Sequence, residues 1–369
     1  MLRFHNKKGL FIYILIFMMI FSYGCKPKTK DSKEGREFDV KIANNVVDSY
    51  MRYLMNNDMN SAKKLYSKKL TNSKAEKRNS DLKTKGYLIS EINEIGESGI
   101  FKSKVVSINE KIPYTCVEEF KIKVVKEGND YKIEEINTSN EKEAFIEKNQ
   151  IRYRNKNNIK TELLIDGSGI PDYTYAKDDK SRLEKIPVPK SNIGAITLAY
   201  SENFIAISTY DKNSYIGLVT IDESKAVQGG SGSGDGESGG SGGGGDSQGG
   251  SITNVKEPPI GKEISDLDLL KNSKIDYMVF SPDEKFVAVQ YETSAKSKNL
   301  RVYKTDSGDM IDSKFEDKYP LDKVNVIFSS FNMEEINFDV IAKDKNNKEV
   351  SKVTGKWQLN LKDFKFKKI

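Results

Sequence analysis

Histidine is nearly missing: the 369 residues contain one, His5, close to the N-terminus. Beyond residue 24 the chain therefore offers no Ser–His or Cys–His pair for nucleophilic catalysis. Zinc sites that use imidazole are excluded as well. Cysteine is almost as scarce, with Cys25 and Cys116 alone, so a multi-bridge disulfide framework is excluded. Cys116 stands in Tyr114-Thr115-Cys116-Val117, among strand-forming residues, and reads as a small buried apolar thiol. An excess of one charge sign is lacking too. The formal net charge is +6, and it falls to +3 without Arg3, Lys7 and Lys8. So small a surplus over so long a chain gives no basis for a nucleic-acid partner. Long apolar runs are confined to Leu10–Phe21, too short to span a membrane comfortably. What is plentiful is aromatic: 18 Tyr and 17 Phe provide material for packed cores and argue against a chain disordered throughout.

The N-terminus divides into a basic start (Arg3, Lys7, Lys8), the apolar run, and Ser22-Tyr23-Gly24-Cys25, with a small residue directly before the cysteine. This is the tripartite pattern of an export signal over residues 1–24. The Gly24-Cys25 junction resembles the lipobox of bacterial lipoproteins, although Ser22 stands where Leu is usual and Tyr23 where a smaller residue is usual. The resemblance implies a lipid on Cys25, cleavage before it, and a mature chain anchored to the outer face of the cytoplasmic membrane. With Cys25 lipidated, no intramolecular disulfide remains. An uncleaved N-terminal anchor helix is the alternative, and it too places the remainder outside the membrane. Residues 25–37 then read as a polar tether with a positive excess.

Ile42, Val46, Val47, Tyr50, Tyr53 and Leu54 form an apolar helical stripe. Asn56-Asn57-Asp58 ends it, and Asp58 or Asn60 is placed to cap a second stripe of Met59, Ala62, Leu65, Tyr66 and Leu70. From Tyr87 the period becomes that of strands, predicted over 87–95, 100–109, 113–125 and 130–137, with a hairpin turn at Gly128-Asn129-Asp130. Two helices before an antiparallel run give an α+β domain over 38–140. The stretch VVDSYMRYLMNNDMNSAKKLYSKKL, followed by strands ending FKIKVVKEGNDYKIEEI, resembles an NTF2-like domain, a curved sheet over helices. The resemblance implies a cavity and transfers no catalytic residue, because this domain has no histidine. Tyr50, Tyr53 and Tyr66 are candidates for its lining, although aromatics at helical spacing are more often core. Residues 141–158 read as a charged connector.

Residues 159–369 read as nearly all strand. Met278–Tyr291 gives a strand, a Ser281-Pro282-Asp283-Glu284 turn and a second strand; Leu300-Arg301-Val302-Tyr303 gives a third. This unit resembles a blade of a TolB-like or WD40-like β-propeller, with Glu284 where Gly is usual. Similar units surround Ser201 and Ser330, and residues 159–190 hold strands for a fourth; otherwise the units make an irregular β region. Alternation places Phe280, Val287, Val289, Phe338, Val340, Trp357 and Leu359 in the core, with Ile341 breaking the pattern. Residues 229–251 are almost wholly Gly, Ser, Asp and Gln and read as a disordered loop inside this region.

Metal binding would have to use oxygen. Asp166–Asp172 and Asp306–Asp309 are the only groupings that suggest it, neither has EF-hand spacing, and both read better as turns. No metal, cofactor or catalytic residue is nominated. The expectation is a membrane-anchored extracytoplasmic protein with a non-catalytic binding or structural role toward an envelope protein or the cell wall. The alternative is a carboxylate-dependent hydrolase of a cell-wall polymer.

Overall fold

The computed structural model describes residues 38–73, 81–156, 158–225, 257–344 and 346–369. The export signal, Cys25, the tether and the 229–251 stretch lie outside them. From Val40 to Ile369 the chain forms one compact unit.

Helix α1 (Val40–Met55) buries Ala43, Val47, Tyr50, Met51 and Leu54. Ile42, expected on that line, is 48% exposed. The buried stripe is turned toward Ala43 and Met51, which follow the 3.6-residue period better. Asp58 caps α2 (Met59–Lys63) as expected, accepting the Ser61 N–H at 3.0 Å. The second stripe, however, does not make one helix. The chain turns at Lys64 and Leu65 and then pairs through Tyr66 with Ile133, whose N–H donates to the Leu65 carbonyl at 2.8 Å. Ser67 N–H returns a 2.9 Å bond to the Ile133 carbonyl. Ser67 then caps α3 (Lys68–Asn72) through the Leu70 N–H. This short pairing covers a stretch of strand edge that would otherwise stand bare.

Four long strands follow: β1 (Leu82–Ile95), β2 (Ser98–Asn109), β3 (Tyr114–Glu127) and β4 (Asp130–Glu147). Gly128 takes the β3–β4 turn at φ +67°, a conformation that glycine adopts without strain. Residues 141–158 are not a connector. β4 continues to Glu147, turns, and pairs with β5 (Gln150–Asn155), and β6 (Glu162–Ile165) completes a six-stranded antiparallel sheet. The charges hid this because one face of the hairpin is ionic. Arg154 pairs with Glu143, while the apolar face holds little more than Ala144, Ile151 and Tyr153.

Three further antiparallel sheets succeed it. The second contains β9 (Asn192–Leu198), β10 (Phe204–Tyr210), β11 (Ser214–Ile221) and β12 (Gly261–Leu270). The third contains β13 (Ser273–Phe280), β14 (Phe286–Thr293) and β15 (Lys298–Lys304). The fourth contains β16 (Val324–Phe331), β17 (Glu335–Ala342), β18 (Gly355–Asn360) and β19 (Phe366–Lys368). These are the three blade-like units of the sequence. No fourth such unit forms from 159–190: Leu163–Ile165 lie in β6, and β7 (Tyr173–Thr174) pairs only with β8 (Ile186–Pro187).

Alternation within the third sheet divides the interior. Met278, Phe280, Val287 and Val289 join a core shared with the first and second sheets, including Val117, Tyr153, Leu198 and Ile207. Val279, Ala288, Leu300 and Val302 face a second core with Val326, Phe338 and Leu359 of the fourth sheet. The residues expected in a single core thus serve two, and Trp357 packs at the edge of the second. Each sheet contacts the next, and β1 returns against β13 and β16. The helix-covered first sheet thus touches all three others, through β2, β3 and β4 against β9 and through β1 against β13 and β16.

Candidate functional site

Between the second and third sheets the backbone leaves a cavity of about 450 Å³. Its walls combine Leu269, Leu270, Leu321 and Tyr291 with Asp178, Asp179, Glu316 and Arg301. Strand alternation builds the charged wall. In β15, Leu300 and Val302 point into the second core, so Asn299, Arg301 and Tyr303 point the other way. There Arg301, 8% exposed, meets three carboxylates from three separate segments. Its Nη1 donates to Asp268 Oδ2 at 2.8 Å, from β12. Its Nη2 donates to Asp178 Oδ2 at 2.6 Å, from the β7–β8 connection. Its Nε donates to Glu316 Oε1 at 2.7 Å, from the short helix α4 (Phe315–Lys318).

Each carboxylate is further engaged. Asp268 also accepts the Tyr303 hydroxyl at 2.6 Å and the backbone N–H groups of Lys177 and Leu269. Glu316 accepts the Tyr291 hydroxyl at 2.6 Å, and Asp178 accepts Lys314 Nζ at 2.8 Å. Burial opposes the charge on Arg301, yet Tyr303, Glu316 and Asp268 hold its pKa above the ordinary value. Burial, and then the Asp268 charge, push the Tyr303 hydroxyl well above its ordinary range. At Asp178 burial works upward, but Lys314 and Arg301 prevail and its carboxyl titrates below the usual Asp value. One guanidinium thus joins three carboxylates at the cavity floor, and the Asp178 carboxyl among them is held low. A proton donor for glycosidic cleavage needs a carboxyl raised toward neutrality.

The residues singled out in the sequence lie elsewhere. Cys25 is outside the described residues. Tyr50 is buried beneath α1, 6.1 Å from the Tyr66 ring, and does not line this cavity. Asp166 accepts the Ser168 N–H at 2.9 Å in an ordinary turn, and Asp172 pairs with Lys190 at 2.7 Å. Asp309 reaches toward Lys177 at 3.6 Å. Among the described residues no three or more His, Cys, Asp or Glu side chains form a group that could hold a metal. Arg301 was read only as part of a strand. Its alternation with Leu300 and Val302 was the available signal that it faces a core boundary.

No family model matches the chain, and no curated protein matches it. Among solved structures the chain is similar to a prolyl endopeptidase, at 7% identity and a TM-score of 0.30, over 90% of this chain and 39% of that one. It is similar to TolB from Acinetobacter baumannii at 8% identity and a TM-score of 0.24, over 72% of this chain and 61% of TolB. The Cps50 (Swd1) β-propeller domain of Myceliophteria thermophila gives 9% identity and a TM-score of 0.24, over 71% of this chain and 96% of the domain. The chain thus has propeller-like neighbours and is mostly β. At these scores the superpositions carry no further argument.

Proposed function

We propose that this chain is a lipid-anchored extracytoplasmic protein with a non-catalytic binding or structural role, its ligand or partner contact centred on the cavity above Arg301. The observation that supports the binding role is the shared guanidinium. Asp178 and Glu316 are bridged by one buried arginine, and the Asp178 carboxyl is held below the usual Asp range, away from that of a proton donor. Anchoring rests on the Gly24-Cys25 junction and its tripartite signal. The helix-covered first sheet, with α1 lying over β strands, is consistent with an NTF2-like relationship, and that relationship belongs to this proposal.

Growth with a labelled fatty acid tests the anchor. The wild type should take up label and sediment with membranes, and Cys25→Ala should take up none and persist as precursor. Normal processing of Cys25→Ala, or no label on the wild type, defeats the anchoring part of the proposal. The hydrolase alternative draws on Asp179 and Glu316 sharing one cavity. Incubation with purified cell-wall polymer decides between the two. The binding role expects retention on the polymer or on an envelope protein with no soluble fragments released; released fragments that vanish in Glu316→Gln favour the hydrolase.

A further inference from the structure

The connection between β7 and β8 is braced to the body through its acids and turns its cations outward. Asp178 is taken up by Arg301 and Lys314, and Glu184 by Lys271. Lys177 N–H donates to Asp268 Oδ1 at 2.8 Å. Ala176, Asp178 and Asp179 belong to the cavity wall, so the root of the connection is part of the candidate site. Its tip is a tight turn. The Asp179 carbonyl accepts the Arg182 N–H at 3.0 Å, and Asp179 Oδ2 accepts the Glu184 N–H at 2.8 Å. Arg182 sits at φ +51°, a left-handed conformation that is costly for a residue with a long side chain.

Beyond that turn stands Leu183, 86% exposed. A leucine so placed gains free energy by leaving water. Tyr173, 51% exposed, lies at the foot of the same connection, with Lys185 Nζ 5.4 Å from its ring centre. Lys180, Arg182 and Lys185 are exposed around them, and among the described residues no ion pair takes up any of the three. Other exposed apolar side chains have the opposite setting. Ile95 stands between Glu94 and Glu97, and Met333 precedes Glu334 and Glu335.

We infer that residues 180–185 form a membrane contact, with Leu183 entering the headgroup layer of an anionic bilayer. The setting has the chemistry of an interfacial contact. Leu183 supplies apolar area, Tyr173 an amphipathic ring, and the basic side chains lay their stems along apolar surface while their charges meet lipid phosphates. The acidic surroundings of Ile95 and Met333 repel the same surface. The inference builds on the anchoring proposed above: a tether over residues 26–37 reaches no more than about 40 Å when extended. That keeps the tip close to the bilayer, where even a weak contact is populated.

Depth-dependent quenching tests the contact in the full chain carrying Cys25→Ser. Its uncleaved apolar run holds it on vesicles, so the result does not depend on a lipid at residue 25. Cys116 is buried and does not compete for label. A bimane on Ser181→Cys sits beside Leu183 at an exposed position, and a control bimane sits on Met333→Cys. In phosphatidylglycerol vesicles carrying a shallow nitroxide lipid, the Ser181→Cys label should be quenched about twofold more than the control. In phosphatidylcholine vesicles the two labels should be quenched alike. Leu183→Asp, and separately Lys180→Glu with Arg182→Glu, should each return the Ser181→Cys label to the control level. Equal quenching of the two labels in phosphatidylglycerol overturns the contact, as does quenching that survives both sets of substitutions. A label unquenched by lipid but shielded from iodide once envelope proteins are added assigns the tip to a protein partner and overturns the lipid reading.

Discussion

Arg301 shows how much a single buried cation can organise. Its three carboxylate partners come from positions 178, 268 and 316, and Asp268 is fully buried on the strand beyond it. Removing one member of such a group leaves the others charged and uncompensated, which costs about 3–5 kcal/mol. Arg301→Met should therefore lower the urea midpoint strongly. The double variant Arg301→Met with Asp268→Leu should recover part of that loss, because the most deeply buried of the three carboxylates leaves with its cation. If both variants are equally unstable, packing and not charge pairing is what Arg301 provides. Asp178 adds a pH dependence of known sign. Its carboxyl is depressed in the folded chain, so its contribution is complete above the unfolded value near pH 4 and fades as pH falls through the lower folded value. The stability gap between wild type and Asp178→Asn should narrow as pH falls below about 4; a gap that stays constant on acidification would contradict the assignment. None of this network was legible in the sequence, since nothing local marks 178, 268, 301 and 316 as neighbours. The turn residue Glu284 was legible as an anomaly. It adopts φ +58° where glycine is usual, and its carboxylate reaches Ser201 to staple two sheets.

At the scale of elements, periodicity identified most strands and failed where one side of a strand is ionic. β1 to β3, the turn at Gly128 and the first half of β4 follow the alternation, while the second half of β4 and β5 escape it because Glu143, Arg154, Lys142 and Arg152 dominate their composition. The helical pattern fails around Tyr66 for another reason: the Leu65 carbonyl and the Ser67 N–H bond Ile133, a long-range pairing that helical spacing cannot reveal. The excursion between β11 and β12 supplies a cleaner test. Ile221 pairs with Gly261, and the Asp222 N–H donates to the Ile260 carbonyl at 2.8 Å. The two ends of the 226–256 excursion are thus already joined by the sheet. Replacing those residues with a short Gly-Ser turn should leave the melting temperature almost unchanged, because loop closure changes by only about 0.6 kcal/mol per doubling of length. A fall of several degrees would mean that the excursion packs against the sheets.

The Val40–Ile369 unit should unfold as one because two of its cores meet in one thin layer. Met278 and Phe280 point into the core shared with the first sheet, while Val279 between them points into the core of the fourth. Loss of either core therefore frees the strand that bounds the other. Trp357, the only tryptophan, belongs to the fourth sheet, packs 5.5 Å from Tyr319 and donates its Nε1–H to the Val353 carbonyl at 2.7 Å. Its native emission should be blue-shifted, and it reports on the second core. Val117 lies in β3, fully buried at 0% exposure, in the core that the first sheet shares with the second and third. Val117→Ala should cost about 2 kcal/mol by removing buried methyl groups. If the unit unfolds cooperatively, the Trp357 midpoint in urea falls with the far-ultraviolet circular dichroism midpoint, and the two curves superimpose in both proteins. The coupling runs from Val117 through Met278 and Val279 to Phe338. A Trp357 curve that stays in place while the circular dichroism curve shifts would show that the third sheet does not transmit the loss, and that the first sheet unfolds alone.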